Sequence, residues 1–88
     1  MTDVETKNQP PIAEVKDRGI KIAIWRHLRK DQPGFRYSGR LQRTYKDVNG
    51  DWQNTDSFGG EQWLRVARLA LQAYDRELQL RADEPEQQ

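Results

Sequence analysis

The chain has 88 residues, 34% hydrophobic and 33% charged, with a formal net charge of +1, which bounds it to one domain. No apolar run approaches the ~20 residues that span a bilayer. With no cysteine and one histidine, disulfides, thiolate chemistry and a zinc or iron centre are all disfavoured. The charged start, from Met1 to Lys7, holds no apolar segment of the secretory kind, so the expected location is cytoplasmic, with no membrane partner. A small core without staples points to a homodimer.

The near-neutral total hides a segregation. Residues 1–19 and 81–88 are net acidic, whereas residues 20–80 carry 11 basic and 7 acidic side chains, the excess lying entirely within 20–58. All eight aromatic residues fall between Trp25 and Tyr74. The expected organisation is therefore a flexible N-terminal tail over 1–18, a basic α+β domain over 19–80, and a flexible acidic tail over 81–88.

From Gly19 the hydrophobic period becomes two. Ile20, Ile22, Ile24 and Leu28 share one strand face, and Lys21, Ala23, Trp25 and His27 take the other. Pro33-Gly34 breaks the ladder in a turn over 29–34. A second strand follows over 35–47, with a possible break at Gly39. Asn49-Gly50 signals a two-residue type I′ hairpin. That turn sets Leu41 against Phe58, Arg43 against Asp56, Tyr45 against Asn54 and Asp47 against Trp52. On the opposite face Gln42 then meets Ser57, Thr44 meets Thr55, and Lys46 meets Gln53.

Gly59-Gly60 reads as a strand-to-helix bend, and residues 61–80 as a helix. Leu64, Ala67, Ala70, Leu71, Tyr74 and Leu78, with Trp63 at the edge, form the wider apolar stripe, which the sheet is expected to cover. A second apolar set, Val66, Leu69, Ala73 and Leu80, is surplus to one small sheet and is assigned to a dimer interface. The expected fold is a curved antiparallel sheet of three to four strands followed by one long C-terminal helix.

The sheet face away from the helix is where chemistry is expected. It gathers Lys21, Trp25, His27, Arg36, Arg40 and Lys46 with Ser38, Gln42, Thr44, Gln53, Thr55 and Ser57, and the adjoining turn adds Arg29 and Lys30. Cations that track phosphates beside a ring that stacks on bases suit single-stranded nucleic acid. The same residues also suit a solvated sheet face, where Lys, Arg and Thr are ordinary. Catalytic readings are weak. His27 reads as a surface residue, Ser57, His27 and Asp56 have no shared context, and Gly59-Gly60 lacks the Lys-Ser/Thr of a phosphate loop. No enzyme activity, cofactor, metal or small-molecule substrate is expected.

Two resemblances are carried by specific residues. Ala23-Ile24-Trp25, Tyr37, residues 43–47, Gly50-Asp51-Trp52 and residues 55–58 resemble a family of small uncharacterised bacterial proteins. Asp47-Val48-Asn49-Gly50 and Glu61-Gln62-Trp63 are similar to the hairpin turn and helix start of the single-stranded-DNA-binding domain of the transcriptional coactivator positive cofactor four. That resemblance implies a curved sheet and one helix, dimers formed through the helical region, and a basic groove with Lys21, Arg36, Arg40 and Lys46 as contacts. This chain differs from that family in carrying Phe58-Gly59-Gly60 where the family has an Asn-Pro-type cap, and in a longer first turn.

The expected function is binding of single-stranded nucleic acid, DNA first, with low sequence specificity, in transcription or replication. Lys21, Trp25, Arg29, Lys30, Arg36, Arg40 and Lys46 are the expected contacts. The alternative is an adaptor module that docks a protein on the sheet face or the surplus helix stripe.

Overall fold

The computed structural model describes residues 9–85. Four strands, β1 (Ala13–Asp17), β2 (Ile20–Leu28), β3 (Phe35–Lys46) and β4 (Trp52–Thr55), are followed by one helix, α1 (Gln62–Ala82). The strands form one open antiparallel sheet in the order β1-β2-β3-β4. The expected α+β class and the long C-terminal helix are both present.

The fourth strand comes from the N-terminal side, not from a break in β3, which runs unbroken through Gly39. Part of the predicted N-terminal tail is thus folded: β1 pairs with β2 from Ala13↔Ile24 to Asp17↔Ile20. Residues 1–8 of that tail lie outside the described residues. β1 has only Ala13 and Val15 as apolar residues, each followed by a charge, so it carries little hydrophobic signal of its own. Its turn, Arg18-Gly19, lacks the usual Asn or Asp marker, and Arg18 takes a left-handed φ of 57°. Gly19 is required for a different reason. A Cβ there would sit 2.9 Å from the Thr44 carbonyl oxygen, where the Thr44 amide donates to the Gly19 carbonyl at 2.9 Å.

The β3–β4 hairpin differs from its expected register by one residue. Arg43 pairs with Thr55, Thr44 with Asn54, Tyr45 with Gln53 and Lys46 with Trp52. The cause is the turn. The Gly50 amide donates to the Asp47 carbonyl at 3.0 Å, the Asp47 amide donates to the Asp51 carbonyl at 2.8 Å, and Gly50 has φ 85°. This is a four-residue turn closed by a left-handed glycine, with Asp first and Gly last, instead of a two-residue type I′ turn. The Asp47 carboxylate secures it by accepting the amides of Asn49 (2.9 Å) and Asp51 (3.0 Å) and the Gln53 side-chain amide (3.0 Å). Arg43 accordingly does not pair with Asp56; its Nε donates to the Ser57 carbonyl at 3.0 Å.

The helix is turned over relative to expectation. It lies across β1 and β2 and buries Leu69 and Leu80, with Val66 and Ala73 half-buried. The set assigned from sequence to a dimer interface is therefore the intrachain core, together with Ile20 and Ile24 of β2. The wider stripe faces solvent: Leu64 is 76% exposed, Leu71 68% and Tyr74 63%. Two apolar arcs on nearly opposite sides of one helix are indistinguishable by periodicity, so contacts at the helix end settle the choice. The Tyr37 hydroxyl donates to Glu84 at 2.7 Å, and the Arg81 guanidinium lies 4.6 Å from the Tyr37 ring centre. Burial, aided by Glu84, raises the Tyr37 pKa above the usual phenol value. These contacts also hold residues 81–84 of the predicted acidic tail on the helix side of the sheet; residues 86–88 lie outside the described residues.

Two outcomes are predicted. Leu69→Ala lowers the unfolding free energy by about 2–5 kcal/mol, whereas Leu64→Ala changes monomer stability by less than about 0.5 kcal/mol, both read from urea unfolding. The hydrogen bond from the Asp51 amide, with those from Gln53 and Asn49, holds the Asp47 carboxyl below its ordinary pKa against a smaller desolvation effect. A depressed carboxyl contributes stability above the ordinary aspartate range and loses it as pH falls through its folded value. The stability gap between the native chain and Asp47→Ala is therefore full at neutral pH and shrinks below that range, as a pH series of unfolding curves will show.

Candidate nucleic-acid interface

With α1 on one face of the sheet, the strand register assigns the side chains of the other. β2 contributes Lys21, Ala23, Trp25 and His27, and β3 contributes Arg36, Ser38, Arg40, Gln42, Thr44 and Lys46. The observed β4 register adds Trp52 and Asn54 to this open face and moves Gln53 and Thr55 to the other. A one-residue slip exchanges the two faces of a strand. The change replaces a wholly polar β4 edge with an indole that is 69% exposed.

The cations of the two faces differ in how they are engaged. On the helix side, Arg26 lies 4.9 Å from the Phe35 ring centre and Arg43 lies 5.6 Å from that of Tyr45. On the open face, the Arg36 and Arg40 side chains make no hydrogen bond, ion pair or ring contact among the described residues. Lys46 Nζ lies 5.2 Å from the centre of the Trp52 ring, so a cation and a stacking surface already adjoin. Arg36 to Lys46 spans ten residues of β3, or roughly 34 Å at strand rise, a track long enough for several nucleotides.

The remaining expected contacts are more constrained. Lys21 is 3.7 Å from Glu14, which also holds Lys16 at 3.5 Å, so β1 brings a carboxylate to one end of the face. Trp25 is half-buried and donates its indole N–H to the Gln9 carbonyl at 3.0 Å. With Pro11, Lys21, Ala23 and Arg40 it lines a hollow of about 160 Å³. The chain's own N-terminal segment thus occupies the edge of the ring expected to stack. Arg29 donates through Nε to the Phe35 carbonyl at 3.4 Å, and Lys30 is exposed in the same turn. His27, expected on the surface, is 6% exposed, with Nε2 3.0 Å from Ser38 Oγ. It lies beneath the face and supports it.

Sequence reasoning missed Trp52 and Gln9. The sequence signal that places Trp52 on this face is Asp47 and Gly50 at the first and fourth positions of a type I turn, which competes with the two-residue signal of Asn49-Gly50. Nothing in the sequence marks Gln9, whose backbone makes the contact.

Among the described residues no group of acidic, histidine or cysteine side chains is arranged to hold a metal ion, and no helix is long and apolar enough to cross a membrane. Comparison of the chain with known protein families, curated proteins and solved structures finds no match.

The arrangement supports one prediction about the N-terminal segment. Deleting residues 1–11 removes the Gln9 carbonyl and Pro11 from the Trp25 ring edge, so the accessibility of Trp25 to acrylamide rises in a variant carrying Trp52→Phe and Trp63→Phe, without loss of helical circular dichroism.

Proposed function

We propose that the open face binds single-stranded nucleic acid, DNA first, with low sequence specificity. The observation that carries this reading is the pair Arg36 and Arg40, two guanidinium groups without side-chain contacts among the described residues, on the same face as two indole rings. A guanidinium offers a phosphate two parallel donors and stacks on bases as well. Capture is electrostatic, through Arg36, Arg40 and Lys46, with Lys21 and Lys30 at the ends. Trp52, the more exposed ring, takes the stacking role first expected of Trp25. The resemblance of residues 47–50 and 61–63 to positive cofactor four supports the same reading, and a place in transcription or replication follows from it. No catalysis and no cofactor enters.

The test is fluorescence anisotropy of a labelled single-stranded oligonucleotide with a duplex control, across a salt series. Single-strand affinity falls with a log–log salt slope of about −0.7 per phosphate neutralised. Five engaged cations thus imply a loss of roughly 130-fold between about 50 and 200 mM salt. Arg36→Glu with Arg40→Glu abolishes binding and leaves the fold intact. Trp52→Ala weakens binding by about five- to 150-fold, corresponding to ~1–3 kcal/mol per stacked base. Absence of binding at low salt, or equal binding to the duplex, overturns the reading.

A further inference from the structure

β4 is shorter than the strand it pairs with, and the space it leaves has a chemistry of its own. β3 begins at Phe35, but its ladder with β4 reaches only from Lys46 back to Arg43. Past Thr55 the chain turns out of the sheet. The Ser57 amide donates to Thr55 Oγ1 at 3.1 Å, and the Ser57 carbonyl accepts from Arg43 Nε at 3.0 Å on the helix side. This corner leaves a hollow of about 400 Å³ lined by Arg40, Leu41, Gln42, Asn54, Thr55 and Asp56, within the ~300–1,000 Å³ ordinary for ligand sites. Arg40, Gln42 and Asn54 belong to the open face, so the hollow adjoins the track of cations along β3.

The polar side chains around it are unspent. Among the described residues, the side chains of Arg40, Gln42, Asn54 and Asp56 make no hydrogen bond, ion pair or ring contact. Asp56 is the informative one. Its carboxylate, expected from sequence to face Arg43, is left without a cation at the rim of a basic track. A phosphate passing there is repelled, so the carboxylate weakens the track unless it meets hydrogen-bond donors. The donors of a nucleic acid strand lie chiefly on its bases. Contacts to phosphate hold a strand in place, and contacts to base edges select it.

We infer that the hollow takes one guanine base of the bound strand. A carboxylate offers two acceptor oxygens side by side. Guanine alone among the four DNA bases presents two adjacent donors on one edge, N1–H and the N2 amine, with the O6 acceptor beside them. Asp56 accepts both donors, and the side-chain amide of Asn54 or Gln42 donates to O6. Adenine and cytosine set one amine beside an acceptor nitrogen, and thymine sets one N–H between two carbonyls, so each turns an acceptor toward the carboxylate. Arg40 holds the phosphate of the same nucleotide. Trp52 stands two residues along the same face of β4, roughly 7 Å away at strand rise, where the next base meets its ring. The edge read by Asp56 is the one that a duplex uses for pairing, so the hollow also discriminates against double strands. This inference rests on the single-strand reading above and refines it: the track tolerates any base elsewhere, and one position selects guanine.

The test compares an oligothymidylate with the same strand carrying one central guanine, by fluorescence anisotropy on the full chain. The guanine strand is expected to bind at least about fivefold tighter, the lower end of what a bidentate base contact contributes. Equal affinity overturns the inference and leaves the single-strand reading standing, whereas no binding to either strand overturns both. A central adenine or cytosine gives no such gain, and an equal gain with either overturns the choice of guanine. Inosine, which lacks the N2 amine, loses most of the gain with no change to the protein; a full gain with inosine overturns the two-donor contact. Asp56→Asn removes the preference for guanine and leaves or raises the affinity for oligothymidylate, because a repulsive charge has gone. Equal weakening towards both strands overturns the assignment, since a merely structural role has that signature. Asp56 is exposed, and circular dichroism of the variant checks that the fold is kept. Gln42→Ala with Asn54→Ala lowers the preference in the same assay, and an unchanged preference overturns the O6 contact.

Discussion

The nine-pair ladder between β2 and β3, from Ile20↔Arg43 to Leu28↔Phe35, places almost everything else. It fixes Trp25 beside Ser38 and His27 beside Arg36, and so determines that one face carries arginine and indole while the other carries isoleucine. β2 is the most buried strand, with Ile20 and Ile24 on the helix side and Ala23 and His27 on the other. Burial on both faces makes its register hard to shift, because a one-residue slip would expose the isoleucines and put Lys21 and Trp25 under α1. The edge strands are tuned against that frame, β1 by a tight turn and β4 by Asp47.

Much of this was legible in the residues. Alternation in 20–28 defines β2 and its two faces, Pro33-Gly34 ends it, and the basic side chains of β3 fall on the face the alternation assigns to them. What misleads is local competition. Asn49-Gly50 suits a two-residue turn, but the same segment also reads Asp47-x-x-Gly50, and the Asp47 carboxylate can satisfy three donors only in the second arrangement. Satisfying those donors outweighs the left-handed preference of Asn49. The predicted Arg43–Asp56 match was a plausible pairing of charges that the fold does not use.

The helix illustrates a different limit. Composition gives α1 two apolar arcs, and hydrophobic period alone favours the wider one for the core. The observed choice depends on contacts distant in sequence: Tyr37 with Glu84 and Arg81, and the fit of Leu69 and Leu80 over β1 and β2. Such selection follows from tertiary geometry, to which a helical wheel is blind. β1 was missed for the converse reason, since a five-residue strand with two apolar side chains is stabilised by its neighbour more than by its own sequence.

The three tryptophans end up in three unlike settings. Trp25 is half-buried with its N–H bound to a backbone carbonyl, Trp52 is open to water with an ammonium nearby, and Trp63 stands at the start of the helix, its ring centre 6.1 Å from that of Phe58. Indole emission responds to polarity and to nearby charge, so the intrinsic fluorescence of the chain is a sum of three spectra of different origin. Trp25 and Trp52 mark two separate parts of the open face, the N-terminal hollow and the β3–β4 edge, and Trp63 marks the outer side of α1. With two of the three replaced by phenylalanine, the remaining ring becomes a local optical probe, and the molecule can report which of its surfaces is being covered without an added label.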